Sequence, residues 1–521
     1  MTTSALHAGR RVADLQALRS GEEIDLLVIG GGITGAGIAL DAASRGLRTV
    51  LVEKHDLAFG TSRFSSKLAH GGLRYLAKLE FEIAKNSAVE RGRLMETIAP
   101  HLVRALPQVT ALNSDTNLVQ IIAMRLGFFA GDILRMIAGT PSAVLPRSRY
   151  ASPQETRLMC PAVKRAGLKG SWVNFDGQMI DDARLVVAVA RTAAMHGARI
   201  ITRCSASELS GNEAVLTDVV THTRFRVGAK AVVNATGVWA GSLNSGIAIR
   251  PSRGTHLVID SEKLGNPTGA LTFPLEGSIS RYFFILPGQL GRCYIGLTDE
   301  DSPGEIPDVP ETPESDVEFL LGQVNRILNI KLRRSDVIGA FTGLRPLIDT
   351  GSGETSDISR KHIIAKGNNG VISIVGGKFT EYRLMAEETV NEVLRTSGLK
   401  AKTCQTKDLP LVGANGDCDT RQEMGKLPSS LVDRFGYEAP KVVALSTVND
   451  PLGNIAGLDI TRAEIEYAFT HEGALDIDDV LDRRTRIGLV PEDRQRALLE
   501  VNEIFHYIKG RSEYGSFMPS S

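Results

Sequence analysis

The sequence predicts an α/β protein whose nucleotide-type core is assembled from separate parts of the chain, joined to an antiparallel sheet and a helical C-terminal cap. Three observations carry this. A short apolar run, DLLVIG at 25–30, ends in Gly30-x-Gly32-x-x-Gly35 and leads into helical spacing over Ile33–Arg45 and a second apolar run at 48–53. Strand-like runs (THLVID, RYFFILPG, RCYIGLTD) crowd the interval from Arg253 to Thr298. After about residue 400 the texture changes to loop and then to helical segments.

The first run reads as a parallel strand buried on both faces. Gly30 permits the tight turn, Gly32 lets backbone approach a pyrophosphate, and Gly35 lets helix pack on strand. The N-terminus of the following helix, at Ile33 and Thr34, offers unpaired N–H groups to phosphate. Glu53 ends the second strand, where a carboxylate accepts both ribose hydroxyls of an adenosine; this argues against a 2′-phosphate and hence against NADP. A helix is predicted over Leu79–Glu96, ending before Pro100. The run AVVN leads into Ala235-Thr236-Gly237, and VISIVGG at 371–377 leads into Lys378-Phe379-Thr380 and a further helix. A simple NAD domain needs no such third return of the chain. A helix N-terminus there suits the N1–C2=O edge of an isoalloxazine, so FAD is the favoured cofactor, with Gly237, Gly377, Lys378, Phe379 and Thr380 as candidate contacts.

A chain of 521 residues exceeds one hydrophobic core. The organisation predicted is a first part of the nucleotide-binding domain at 20–110, a substrate-domain or helical insertion at 111–180, and a second nucleotide-binding part at 181–250. A substrate-binding antiparallel sheet follows at 251–345, then the last nucleotide-binding part at 346–400 and the cap at 401–521. Sixty basic and sixty acidic residues leave no net field to draw the chain to nucleic acid or anionic lipid, so any anion site must be local. Five scattered cysteines without a C-x-x-C pair give neither a disulfide framework nor a metal site, and suggest a reducing compartment. The first 20 residues lack the apolar core of a secretory signal. The longest near-apolar run, from Ile121, is broken by Arg125, Asp132 and Arg135, which argues against a spanning helix but allows one lying in the membrane plane.

Beyond the glycine turn, Thr61-Ser62, the run Ser65-Ser66-Lys67-Leu68-Ala69-His70-Gly71-Gly72-Leu73-Arg74-Tyr75-Leu76, Asp181–Leu185, Asn234–Gly237, Gly343-Leu344-Arg345-Pro346-Leu347 and Gly376-Gly377-Lys378 closely resemble the FAD-dependent glycerol-3-phosphate dehydrogenases. The resemblance spans roughly residues 24–395 in order, and the C-terminal helical segment resembles that family's cap. It implies an FAD-binding Rossmann-type domain of the glutathione-reductase/D-amino-acid-oxidase kind. It also implies oxidation of sn-glycerol 3-phosphate to dihydroxyacetone phosphate by hydride transfer from C2 to flavin N5. Thr61, Ser62, Ser66, Lys67, Leu68, His70 and Gly71 become flavin or pyrophosphate contacts. Arg345 and Arg360 become phosphate ligands, with Arg74 and Tyr75 closing the pocket and Thr298 lining it. His256, in RGTHLV, is suited to take the C2-hydroxyl proton as a neutral imidazole. Arg345 suits the developing alkoxide, and Lys378 the flavin N1 region or the substrate. Arg63-Phe64 and Lys361-His362 depart from the family's usual pattern.

A membrane quinone as electron acceptor, peripheral membrane contact at the cytoplasmic inner face and a homodimer are further implications of the resemblance. The alternative is an oxidase that passes electrons to O₂ and releases hydrogen peroxide; the extra internal segment often found in such oxidases is not seen. A non-enzymatic flavin module has no use for the cationic set Arg74, Arg345, Arg360 and Lys378. An amino-acid oxidase does not account for the Ser65–Leu76 run.

Overall fold

The computed structural model describes residues 3–72, 75, 80–114, 116, 118–243, 246–275, 282–349 and 361–511. Two large sheets and a C-terminal helical region make up the chain. The first sheet runs in the order Ile363–Lys366, Ile372–Val375, Arg224–Asn234, Ile24–Ile29, Thr49–Val52, Arg199–Ile201. Its four inner strands and Arg199–Ile201 pair in parallel, while Ile363–Lys366 closes one edge antiparallel. Every residue of IDLLVI is buried, as a parallel strand covered on both faces requires. The helix Ile33–Ser44 covers the sheet and packs against Asp182–Met195 and Tyr382–Ser397. Three chain segments far apart in sequence thus meet at the C-terminal ends of adjacent parallel strands, where open α/β sheets place their ligands.

The second sheet is mainly antiparallel. It runs Glu300–Asp301, Ile249–Asp260, Arg292–Gly296, Tyr282–Pro287, Ala270–Pro274, Val103–Leu112, Gly170–Met179, Leu68–Ala69; Val337–Ile348 and Arg149–Ala151 pair alongside. Only the Ala270–Pro274 pairing with Val103–Leu112 is parallel among these pairs. The sequence boundary at 110 therefore cuts a strand of this sheet, and the interval 111–180 supplies two of its strands as well as the helix Leu118–Ile137. The predicted helix over Leu79–Glu96 forms as Phe81–Arg93, continued by a wider turn at Leu94–Ile98.

The C-terminal region includes the helices Arg462–His471 and Pro491–Lys509 around a core that contains Ile465, Phe469, Ile504 and Phe505. It is fastened to the first sheet by buried charge. Asp56, fully buried, receives Arg483 at 2.6 Å and Arg484 at 2.8 Å. The N-terminal helix Ala8–Arg19 lies outside the predicted start at residue 20 yet packs on the same body, with Arg11 donating to the carbonyls of Thr202 and Arg203.

Candidate functional site

A single cavity of about 2200 Å³ runs from the glycine turn to the second sheet. That exceeds the roughly 300–1,000 Å³ of an ordinary small-ligand site and leaves room for a dinucleotide and a substrate together. At one end Gly30 has φ +112°, and a Cβ there would lie 2.6 Å from the Ala235 carbonyl oxygen. A Cβ on Gly35 would strike the Gly30 carbonyl oxygen itself. Glu53 accepts N–H bonds from Gly31 at 2.6 Å and His55 at 2.8 Å. Burial pushes its pKa up, while those two donors oppose the rise. Ser62, in the turn Thr61–Arg63, accepts from the Ile33 N–H at 3.0 Å and so sits at the N-terminus of the helix. The close glycine cradle, the helix N-terminus and the carboxylate at the next strand's end fit a dinucleotide with a free ribose diol.

Gly35→Ala is expected to remove the flavin from purified protein, because the new methyl cannot coexist with the Gly30 carbonyl at the present helix–strand distance. The ratio of flavin to protein absorbance checks this. A fully loaded, normally active variant would show that the close approach is not needed.

The loop that follows couples the two ends of the cavity. Thr61 donates its hydroxyl to the Leu344 carbonyl at 2.6 Å, next to Arg345. Ser66 Oγ meets His256 Nε2 at 3.0 Å. Ser62, Ser66, Leu68 and His70 line the cavity, as do Ile33, Thr34, Gly237, Gly377, Phe379 and Thr380. His70 turns its Nδ1 to Asp176 at 3.1 Å.

His256, Thr298, Arg345, Tyr75 and Lys378 also line the cavity. His256 is buried in the strand Ile249–Asp260, its ring stacked on Phe341 at 4.7 Å and 10°. Burial first, then the positive Lys67 and Arg345, push its pKa well below the ordinary histidine value. Its Nδ1 is buried without a hydrogen-bond partner. Arg345, on Val337–Ile348, donates from Nη1 to Ser252 Oγ at 3.2 Å and Asp299 Oδ1 at 3.1 Å. Gly254 is required beside it, since a Cβ there would lie 2.5 Å from Arg345 Nη2. Lys378 donates to Ser87 at 2.6 Å and Glu381 at 3.2 Å, and stands 3.6 Å over the Tyr75 ring.

Two expectations change, and the contact of a third is narrowed. The Lys67 side chain does not line the cavity. Its backbone is left-handed at φ +57°, and the amine is buried against Asp182 at 3.3 Å and over the Phe341 ring at 4.6 Å. Gly71 is buried beside Arg91, its N–H donating to Asp176 at 2.9 Å, and it does not line the cavity. Thr298 lines the cavity, but its hydroxyl is committed to the Thr255 N–H at 3.0 Å and to Asp316 at 3.3 Å. Arg74 and Arg360 lie outside the described residues. The sequence reading missed Asp299, Ser252, Phe341 and the Ser66–His256 pair, none of which carries a local motif. Among the described residues no His, Cys, Asp or Glu cluster could hold a metal ion, and no helix is long and apolar enough to cross a membrane.

The fold and this cavity define an oxidoreductase built around a dinucleotide cofactor. The family model for FAD-dependent oxidoreductases matches residues 25–383, and that for the C-terminal domain of alpha-glycerophosphate oxidase matches residues 404–513. Glycerol-3-phosphate dehydrogenase 1 of Mycobacterium tuberculosis is 55% identical over 507 residues, 96% of this chain and 98% of that protein. The mitochondrial glycerol-3-phosphate dehydrogenase of Arabidopsis thaliana is 34% identical, covering 96% and 86%. Among solved structures, the glycerol-3-phosphate dehydrogenase from Bacillus halodurans complexed with FAD has a TM-score of 0.72 at 26% identity, covering 98% of this chain and 96% of that one. The chain belongs to the FAD-dependent glycerol-3-phosphate dehydrogenase family.

Proposed function

We propose that the chain oxidises sn-glycerol 3-phosphate to dihydroxyacetone phosphate and passes the electrons to a membrane quinone, working as a homodimer at the inner face of the cell membrane. The observation that supports it best is the pairing, at one end of a dinucleotide-sized cavity, of a neutral buried imidazole with a guanidinium on a neighbouring strand. The curated relatives' names point to the same substrate.

FAD, when bound, supplies the acceptor for the hydride that leaves C2. The side chains do the rest. Arg345, already aligned by Ser252 and Asp299, presents its planar fork to the phosphate or to the oxygen that gains charge at C2. His256 takes the C2-hydroxyl proton at Nε2, the ring edge that meets Ser66 on the cavity wall. Phe341 and Gly296 fix the ring plane: a Cβ on Gly296 would lie 2.8 Å from Nε2. Arg74 and Tyr75 close the pocket, Arg360 is a further phosphate ligand, and Lys378 serves the flavin N1 region or the substrate.

Because the folded protein resists protonating His256, the base stays available as pH falls through 6.5. The rate of anaerobic flavin bleaching by glycerol 3-phosphate is therefore expected to show no histidine inflection between about pH 6 and 8. His256→Asn should slow that bleaching by about 10²–10⁴-fold. An unchanged rate removes His256 from the proton step. The reaction itself is tested by mixing oxidised holoprotein with glycerol 3-phosphate without oxygen, then adding a quinone analogue or O₂ separately. No bleaching overturns the substrate, and fast reoxidation by O₂ alone overturns the quinone.

A further inference from the structure

The helix Leu118–Ile137 is built the wrong way round for a soluble protein. Such helices turn their apolar stripe to the core; this one buries only Leu134 and Arg135. Leu118, Val119, Ile122, Leu126, Phe129, Ile133, Met136 and Ile137 are all exposed, Leu126 to 62% and Phe129 to 51%. At about 100° per residue these eight fall within one arc of about 100°. The adjoining arc, with Gln120, Ala123, Met124, Gly127 and Phe128, lines the cavity, and Val119 at the boundary belongs to both faces. The helix is thus a wall with the cavity on one side and an outward apolar face on the other.

The remaining arc fastens it. Arg125 donates to Ser148 at 2.8 Å and stands 5.3 Å over the Trp172 ring, while Asp132 accepts from the Ser148 N–H at 3.0 Å. Trp172 Nε1 donates to the Ile121 carbonyl at 3.2 Å, and Tyr150 meets Trp172 edge-on at 5.9 Å. Exposed basic residues flank these anchors: Arg147 beside Ser148, and Lys169, whose carbonyl accepts from Tyr150 at 2.6 Å; Arg149 is exposed too but is paired with Glu155 at 2.5 Å. An apolar arc edged by amphipathic aromatics and cations has the chemistry of an interfacial helix.

We infer that Leu118–Ile137 lies in the surface of an anionic lipid bilayer, its exposed arc sunk among the acyl chains, and forms the lip across which a lipid-soluble acceptor passes between membrane and cavity. The second half rests on the quinone reading; the first does not. Anionic headgroups attract Arg147 and Lys169 beside the arc.

The test uses holoenzyme and the triple variant Leu126→Glu/Phe129→Glu/Ile133→Glu, none of which lines the cavity. Wild type is expected to sediment with phosphatidylglycerol vesicles, less with phosphatidylcholine and less at high salt. The variant should bind at least about tenfold more weakly, since three large apolar side chains no longer enter lipid. Anaerobic flavin bleaching and turnover with a water-soluble dye should stay within about twofold, while reduction of a prenylated quinone dissolved in the vesicle slows about tenfold or more. Wild type that ignores the vesicles, or a variant that binds them equally, overturns the lipid contact. So does a variant that turns a dimer into a monomer with vesicle binding unchanged. Lost vesicle binding with undiminished quinone reduction overturns the route. If glycerol 3-phosphate bleaches neither protein, the substrate reading fails, and the sedimentation arm still decides the docking.

Discussion

Arg345→Met is expected to lower kcat/KM for glycerol 3-phosphate by about 10²–10³-fold, the cost of removing one member of a desolvated charge pair. The guanidinium is about one-fifth exposed, so the substrate's phosphate meets it in a partly dry cavity rather than in bulk water. Its neighbours raise the penalty. Asp299 Oδ1 lies 3.1 Å from Nη1, and without Arg345 that carboxylate faces an anionic substrate with less positive charge between them. Arg345→Lys restores the charge but not the fork, and Gly254 leaves no side chain to fill the gap; about a tenfold defect should remain. The split between constants assigns the contact. A rise in KM with unchanged kcat places Arg345 on the phosphate throughout, whereas an equal fall in kcat and kcat/KM places it on the oxygen that gains charge. Stopped-flow flavin bleaching over a range of substrate concentrations separates the two, and a change under about threefold overturns both roles.

What the sequence disclosed depended on how local the signal was. Gly30, Gly32, Gly35 and Glu53 belong to one βαβ unit, and their places at the turn and the strand end follow from spacing because strand, turn and helix are consecutive. The returns at Gly237 and Gly377 were legible for the same reason: each is an apolar run ending in glycine. The boundary at 110 failed because Val103–Leu112 pairs with Gly170–Met179, some 60 positions on, so composition changes where the sheet does not. A lysine in a polar glycine-rich loop looks like a phosphate ligand, but Lys67 points its side chain away from the cavity. Its left-handed backbone and its partner Asp182, 115 positions away, turn it inward. The joint between C-terminal region and first sheet was illegible altogether, since Asp56 and Arg484 are 428 positions apart. The outward apolar arc of Leu118–Ile137 shows the reverse case. Its period is plain in the sequence, but only the tertiary structure says which arc the core leaves uncovered.

Asp182 is where that hidden network reaches the site. Fully buried, it accepts from the Ser65 N–H at 2.9 Å and hydroxyl at 2.8 Å, and lies 3.3 Å from Lys67 Nζ and 3.9 Å from Arg486. Burial acts against its charge, but Lys67 and Arg486 hold its pKa below the usual carboxylate value. Arg486 also donates to the Arg63 carbonyl at 2.5 Å, so the C-terminal region and Asp182 together set the loop from which Ser66 meets His256. Asp182→Ala leaves the buried Lys67 and Arg486 with one fewer negative partner and should cost about 3–5 kcal/mol of stability. Its carboxylate stabilises the fold at pH values above the ordinary carboxylate pKa. The difference between wild type and variant should therefore be full at neutral pH and shrink as acid protonates Asp182. Adding Lys67→Met should recover part of the loss, because the second change removes the very charge that the first left exposed to a dry interior. Denaturant unfolding of the two single variants and the double variant measures this coupling; strictly additive losses overturn the ion-pair account. The same substitution should slow flavin bleaching even where the protein remains folded and flavin-loaded, because Ser65 loses the acceptor that fixes its neighbour against His256. Bleaching at the wild-type rate would confine Asp182 to stability and break the connection to the site.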